Sequence, residues 1–349
     1  AAGDLTNWSR QLLFNTLMWT FLLSINKKLI LAIPVIMSLG FIFGISVEQD
    51  MVQSLKGLIV PLTFLMVYPL MVTLNIKHLK DGITNIKLQV LTQAINFGII
   101  PFLAYGLGLY FFPDQPYMAL GLLLASLLPT SGMTISWTGF AKGNMGAAIN
   151  MTVIGLTLGA LATPFYVKTL MGAQVSMDMV MVVQQIAYIV FIPMALGYWT
   201  RTFFLKKYGP QAFKATWAPR FPSLSTIGVL GIVFVAIALK AEQISQEPMV
   251  LGKILGPLLL LYGANFLIST IAGRLLFARA EAIALVYGTV MRNLSIALAV
   301  SINAFGEQGS DAALVIAVAY IIQVQAAAWY VRLTDICFGP VPAPAPVSV

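Results

Sequence analysis

Arg292 and Asn293 stand in the middle of a long apolar stretch, Ala280 to Phe305, AEAIALVYGTVMRNLSIALAVSINAF. The stretch is long enough to cross a bilayer. A charge at membrane depth costs at least about 2.5–3.5 kcal/mol on insertion scales, so it is rare and usually tied to function. All twelve Asp and Glu can be placed outside the apolar spans or at their edges. Arg292 therefore has no obvious carboxylate partner in the membrane. It reads as a receptor for something negative, or as a fixed cation in place of a mobile one. The alternative is a structural residue that binds backbone carbonyls of broken helices.

A second polar interruption, Pro129-Thr130-Ser131-Gly132, breaks LLLASLLPTSGMTISWTGF. Proline cannot donate to the helix ladder, and glycine removes a side chain. Backbone groups freed in lipid must be satisfied by protein or by a water-lined cavity. A plain proline kink is the simpler reading, but Thr130, Ser131, Thr134 and Ser136 add hydroxyls that a kink does not need. The stretch around Arg292 repeats the theme with Gly288-Thr289 before Arg292-Asn293-Leu294-Ser295. If the two stretches cross, half-helix N-termini and polar side chains converge at mid-depth, where partial positive charge favours anions. The candidate substrate-binding residues are Arg292, Asn293, Thr130, Ser131, Thr134 and Ser295. Further polar positions are Asn96, Asn150, Thr152, Gln184, Gln185, Gln323 and Gln325, whose commoner role is a hydrogen bond to a neighbouring helix.

These residues need a membrane scaffold. Of 349 residues, 59% are hydrophobic and 9% charged, against about 25% charged in soluble domains. Ten apolar spans follow, near 29–47, 55–75, 87–112, 117–138, 146–171, 179–200, 222–241, 248–273, 280–305 and 310–333. Residues 1–28 read as a cytoplasmic segment with an interfacial helix, QLLFNTLMWTFLLSI. This segment is apolar but short, and Lys27 and Lys28 follow it, so no cleavable signal peptide is expected. Residues 334–349 read as a disordered, proline-rich cytoplasmic tail.

With ten spans, fifteen of the twenty Lys and Arg fall on the side of the termini and four on the other; Arg292 is the remaining one. Both termini are therefore expected in the cytoplasm, in the cytoplasmic (inner) membrane. The connection RTFFLKKYGPQAFKATWAPR, residues 201–220, divides the chain into repeats at 29–171 and 172–333. Five spans per half give the two repeats inverted topology, the usual plan of secondary transporters. Asn96-Phe97 and Asn265-Phe266 echo each other across the halves.

The net charge of +8 is spread over loops, which argues against nucleic acid as a partner. The single cysteine, Cys337, excludes an internal disulfide, and the single histidine, His78, lies in an expected loop. No metal site or cofactor is expected. No H-E-x-x-H or G-x-S-x-G motif is present, so an enzyme is not the reading. A sensor would need a soluble output domain.

PTSGMTISWTGFAKGN with MGAAINMTVIGLTLGALATP resembles the fourth and fifth helices of the bile acid:sodium symporter superfamily. The matching features are the proline-containing break, the A-K-G-N loop at Ala141 to Asn144, and Thr163-Pro164. Residues 61–79, PLTFLMVYPLMVTLNIKHL, look more like the second helix of the related arsenite efflux permeases. Arg292-Asn293 is similar to the superfamily's R-N or Q-N pair. The resemblance implies an all-α integral membrane protein of ten transmembrane helices, with panel and core domains and crossed broken helices 4 and 9.

It also implies ion-site equivalents at Asn96, Thr134, Thr152, Gly288 and Arg292. Sodium-coupled members carry a glutamate where this chain has Gly288, an asparagine at Ile135 and a serine at Ala148. The sodium sites therefore look dismantled, with Arg292 supplying positive charge. Arsenite permeases carry a cysteine at Thr130 and a glutamate at Ser295, so soft thiolate capture of As(III) is not available; hydroxyls and amides can still hydrogen-bond neutral arsenous acid. The expected function is a secondary transporter moving a small anionic solute without the usual sodium sites. Arsenite efflux and sodium-coupled organic anion symport are the alternatives. The oligomeric state is not legible.

Overall fold

The computed structural model describes Trp19, Ser24 and residues 29–73, 85–175, 179–246, 248–306 and 308–340. The expected interfacial helix, the loop of His78 and most of the tail fall outside these residues. The described chain is helical: α1 (Leu29–Ser46), α2 (Gln49–Thr73), α3 (Ile86–Phe111), α4 (Pro116–Leu127), α5 (Gly132–Phe140), α6 (Met145–Met171), α7 (Met179–Ile186), α8 (Ile192–Ala212), α9 (Arg220–Gln246), α10 (Met249–Leu276), α11 (Arg279–Val290), α12 (Leu294–Phe305) and α13 (Gly309–Phe338). Among the described residues, seven helices are long and apolar enough to cross a membrane, and Leu31–Ser46, Pro116–Leu127 and Leu294–Phe305 are shorter apolar helices.

Two boundaries differ from the sequence reading. The connection at 201–220 is mostly helical: α8 runs to Ala212, bending at Gly209 (φ 79°), and a π-turn spans Phe213–Trp217. Its basic residues, spaced along aromatic ones, suit an interfacial helix as well as a loop; Lys207, for example, lies over the Phe203 and Tyr208 rings. The last helix continues through Phe338, so residues 334–338, with Cys337, are helical rather than tail.

The chain forms two compact units. One comprises Ala1–Leu74 with Ala187–Ala241, the other Asn75–Ile186 with Glu242–Val349. In the first unit, Gly197 packs against the backbone of Met71 and Val72, and Gly228 against Met66. Such small residues let helix backbones approach closely in a membrane. Ser225 donates to the Met66 carbonyl in the same seam.

The second unit holds the two interrupted helices at its centre. Every residue from Met118 to Leu127 in α4, from Ala282 to Val290 in α11 and from Leu294 to Ile302 in α12 is buried. A helix apolar all round belongs in an interior. In contrast, α10 leaves Leu251, Leu255, Leu259, Leu267, Ile271 and Leu275 exposed. An exposed apolar stripe of that length suits contact with lipid. Gly121 lets α4 meet α13, since a Cβ there would lie 2.6 Å from the Ala312 carbonyl oxygen. In α3, Pro101 cannot bond to the carbonyl four residues back. That carbonyl, Phe97, accepts instead from the Tyr166 hydroxyl at 2.6 Å, and a π-turn spans Ala94–Ile99.

Candidate functional site

The two breaks meet. Leu128–Ser131, between α4 and α5, runs antiparallel to Met291–Asn293, between α11 and α12, and Pro129 pairs with Arg292. Thr130 N–H donates to Met291 O and Asn293 N–H to Leu128 O, each at 2.7 Å. In this register, the Pro129 nitrogen and C=O and the N–H and C=O groups of Arg292 face away from the pair. Proline suits its place because an N–H there would point away from the only partner strand. Arg292 has both groups, and Gln323 on α13 takes both. Its Oε1 accepts from Arg292 N–H at 2.8 Å, and its Nε2 donates to Arg292 O at 3.1 Å. One side-chain amide thus serves as a third strand. The Tyr262 hydroxyl donates to the same Oε1 at 3.0 Å.

The helix ends are closed in the same economical way. Ser131 Oγ accepts from Met133 N–H, and Thr134 Oγ1 accepts from Ser131 N–H, capping α5. Asn293 Oδ1 accepts from Ile296 N–H and caps α12. The last carbonyls of α11 lose their helical donors at the break. Asn96 Nδ2 donates to Gly288 O at 3.1 Å, and Asn265 Nδ2 to Thr289 O at 2.9 Å. The echoing asparagines therefore serve successive carbonyls of one helix end.

The guanidinium is the exception. Arg292 is 2% exposed, and its Nη1 and Nη2 have no hydrogen-bond partner among the described residues. Unmade bonds to buried charged groups cost more than the roughly 1–3 kcal/mol of a neutral one. Natural interiors leave few such groups, and each calls for an explanation.

The expected site residues divide. Arg292, Asn293, Ser131 and Thr134 come together at the crossing. Ser295, in the first turn of α12, shares a short hydrogen bond with Tyr320 of α13. Thr130 is at the crossing but turned aside. Its φ is +66°, rare for a β-branched residue, and its hydroxyl reaches toward carbonyls of Pro129, Met151 and Thr152. It sits over Gly155, where a Cβ would lie 2.8 Å from Oγ1. Ser136 lies on an exposed face.

Among the ion-site equivalents, Thr152 bonds within its own helix to Ala148 O. Gly288 offers no ligand, and a Cβ there would lie 2.5 Å from the Met151 sulfur. Asn96 keeps an unpartnered Oδ1. Gln184 is exposed, and Gln185 and Gln325 are half-buried. Tyr262 and Tyr320 were missed; nothing in their local sequence separates them from packing aromatics. Gln323 was named, but its grip on the Arg292 backbone depends on long-range geometry. No group of three or more His, Cys, Asp or Glu able to hold a metal occurs among the described residues.

Comparison with known proteins places this architecture. The model of the sodium bile acid symporter family matches residues 60–247. An arsenical-resistance protein, Acr3, of Corynebacterium glutamicum is 24% identical over 287 residues, covering 78% of this chain and 75% of that protein. An uncharacterised transporter, slr0944, of Synechocystis is 24% identical over 298 residues, covering 78% and 76%. An uncharacterised sodium-dependent transporter, YocS, of Bacillus subtilis is 26% identical over 217 residues, covering 60% and 64%. The chain belongs to the sodium bile acid symporter family, and it is a multi-pass membrane protein of a transporter family.

Proposed function

We propose, from membership of that family, that the protein is a secondary transporter of a small anionic solute, with Arg292 as its charge receptor. The observation that carries this reading is a buried guanidinium with unpartnered nitrogens at the crossing of two broken helices. An arginine fork matches a pair of oxygens on an anion. Ser131, Thr134 and Asn293 hold the two half-helix N-termini at the same crossing, and those termini favour negative charge. Thr130 and Ser295 complete the proposed set, Thr130 by shaping the break and Ser295 through Tyr320.

The reading includes ten spans in two inverted five-helix repeats, both termini in the cytoplasm, and placement in the cytoplasmic membrane. Alternating access would expose the crossing to each side in turn. Transport would run without the usual sodium sites. By the resemblance, Gly288 matches a position where sodium-coupled family members carry a carboxylate, and Met151 packs against it. No carboxylate bonds Arg292 among the described residues, so the guanidinium replaces the mobile cation.

A second reading is arsenite efflux. The Corynebacterium relative, an arsenical-resistance protein, favours it. Here arsenous acid would be held by hydroxyls and amides, since Thr130 offers no thiol.

Flux in proteoliposomes made with the full chain tests both readings. Exchange of a labelled oxyanion should proceed without a sodium gradient and be lost in Arg292→Ala. Flux that requires sodium and survives in Arg292→Ala would overturn the first reading. Arsenite protection of a sensitive host, lost in Arg292→Ala but kept in Thr130→Ala, would select the second.

A further inference from the structure

One face of α8 changes character along its length. Ile192, Ala195, Trp199 and Phe203 are exposed at intervals of three and four residues, so they form a single apolar stripe. Lys206 and Lys207 continue that face and are exposed as well. From Ile192 to Lys207 the face is about 22 Å long at 1.5 Å per residue. Apolar surface gives way to positive charge in the order in which an acyl chain gives way to a headgroup.

Packed aromatic rings hold the charged end in place. Past the bend at Gly209 the chain turns back, and the Phe204 ring closes the turn, 4.9 Å from Trp217 and 5.8 Å from Phe221. Tyr208 and Trp217 pack at 5.4 Å. Lys207 lies over the first of these rings at 5.3 Å, and the Arg220 guanidinium over the second at 5.1 Å. The π-turn between them adds Lys214, which is exposed.

No carboxylate answers this charge among the described residues of the unit. From Met179 to Ala241 the sequence has no Asp or Glu. Glu48 and Asp50 stand at the start of α2. Arg201 marks the other end of that helix, where it donates to Thr73 O at 3.2 Å. With 25 residues in α2, the two acids lie about 35 Å from the Arg201 contact. Clusters of four or more Lys and Arg beside a membrane helix suit anionic lipid, each worth about 1 kcal/mol near the surface.

We propose that this face of α8 binds an anionic phospholipid, with its phosphate on Lys206 and Lys207 and an acyl chain along Trp199 and Phe203. Lys214 and Arg220 add positive potential beside the headgroup. The stripe separates a lipid from a free phosphate, which would have no use for the apolar half of the face. The inference is independent of Arg292.

Native mass spectrometry of the purified full chain, in an uncharged detergent, tests it. The probes are phosphatidylglycerol, phosphatidylcholine and glycerol phosphate. We expect phosphatidylglycerol to bind saturably and more tightly than phosphatidylcholine, and glycerol phosphate not to bind. Combining Lys206→Gln with Lys207→Gln should weaken phosphatidylglycerol about twentyfold, the worth of two lysines near a surface, and leave phosphatidylcholine unchanged. If that variant does not fold, Lys207→Gln alone should weaken it about fivefold. Combining Lys168→Gln with Lys253→Gln, at exposed lysines elsewhere, should change nothing, and neither should Arg292→Ala. Equal binding of the two lipids, equal binding to the α8 variant, or an equal loss in the Lys168 and Lys253 variant overturns the proposal. Glycerol phosphate binding as tightly as the lipid would make this a phosphate site, and loss of the lipid in Arg292→Ala would move it to the helix crossing; either result also overturns it.

Discussion

The break between α4 and α5 and the break between α11 and α12 solve one problem differently. Both interrupt a buried helix, and two backbone hydrogen bonds join them, one donated from each side. The first closes on itself. Pro129 has no outward N–H, Ser131 and Thr134 cap the next helix, and the Thr130 hydroxyl falls on nearby carbonyls. The second borrows. Gln323 holds the Arg292 peptide, and Asn96 and Asn265 cover the end of α11. After all that, the second break still leaves guanidinium nitrogens unpartnered. Among the described groups left without a partner the guanidinium is the charged one, and the proposed anion site rests on it.

Replacing Arg292 should break this contrast most strongly. Arg292→Leu is expected to abolish anion transport while raising the melting temperature of the unliganded protein. The gain should be about 1–3 kcal/mol, the scale of an unpaired buried group removed. Flux assays beside thermal melts would check it, and a less stable, still active variant would end the account.

The next largest effect is expected at Gln323. Gln323→Leu strands the Arg292 N–H, the Arg292 carbonyl and the Tyr262 hydroxyl together. A loss of about 3 kcal/mol should follow, seen as a lower melting temperature. A near-neutral result would mean that the break does not need its third strand.

Capping sharpens the comparison at smaller scale. Ser131→Ala and Asn293→Ala should each cost about 1 kcal/mol, so thermal melts should show two similar losses. A much larger loss at Asn293 would give it a role beyond the cap. Thr130→Gly should be nearly silent. Relief of about 1 kcal/mol of strain at positive φ offsets the lost hydroxyl, and flux should persist. Loss of flux with stability kept would mean that the Thr130 hydroxyl touches the solute as well as shaping the break.

Much of this was legible in the chain. The helical class and the two polar interruptions follow from hydropathy and from proline, and seven helices among the described residues are long and apolar enough to cross a membrane. Arg292 could be singled out because a charge in such a stretch is costly wherever it points. What the chain did not disclose is pairing across distance. Nothing local to Gln323 says that it will grip the Arg292 peptide, or that Thr130 will turn toward Gly155 on α6. The connection at 201–220 is mostly helix: the chain bends at Gly209 and resumes.

We propose that Arg292 binds the solute's negative charge in place of a coupling cation. The most direct test is the melting temperature of the purified wild type and of Arg292→Ala, measured with small oxyanions, organic anions and arsenite, in sodium and sodium-free buffer. A ligand bound only by the folded state at one hundred times its Kd stabilises it by about 2.7 kcal/mol. The account predicts that an anion stabilises the wild type without sodium and leaves Arg292→Ala unchanged. Stabilisation by sodium itself, kept in Arg292→Ala, would contradict it.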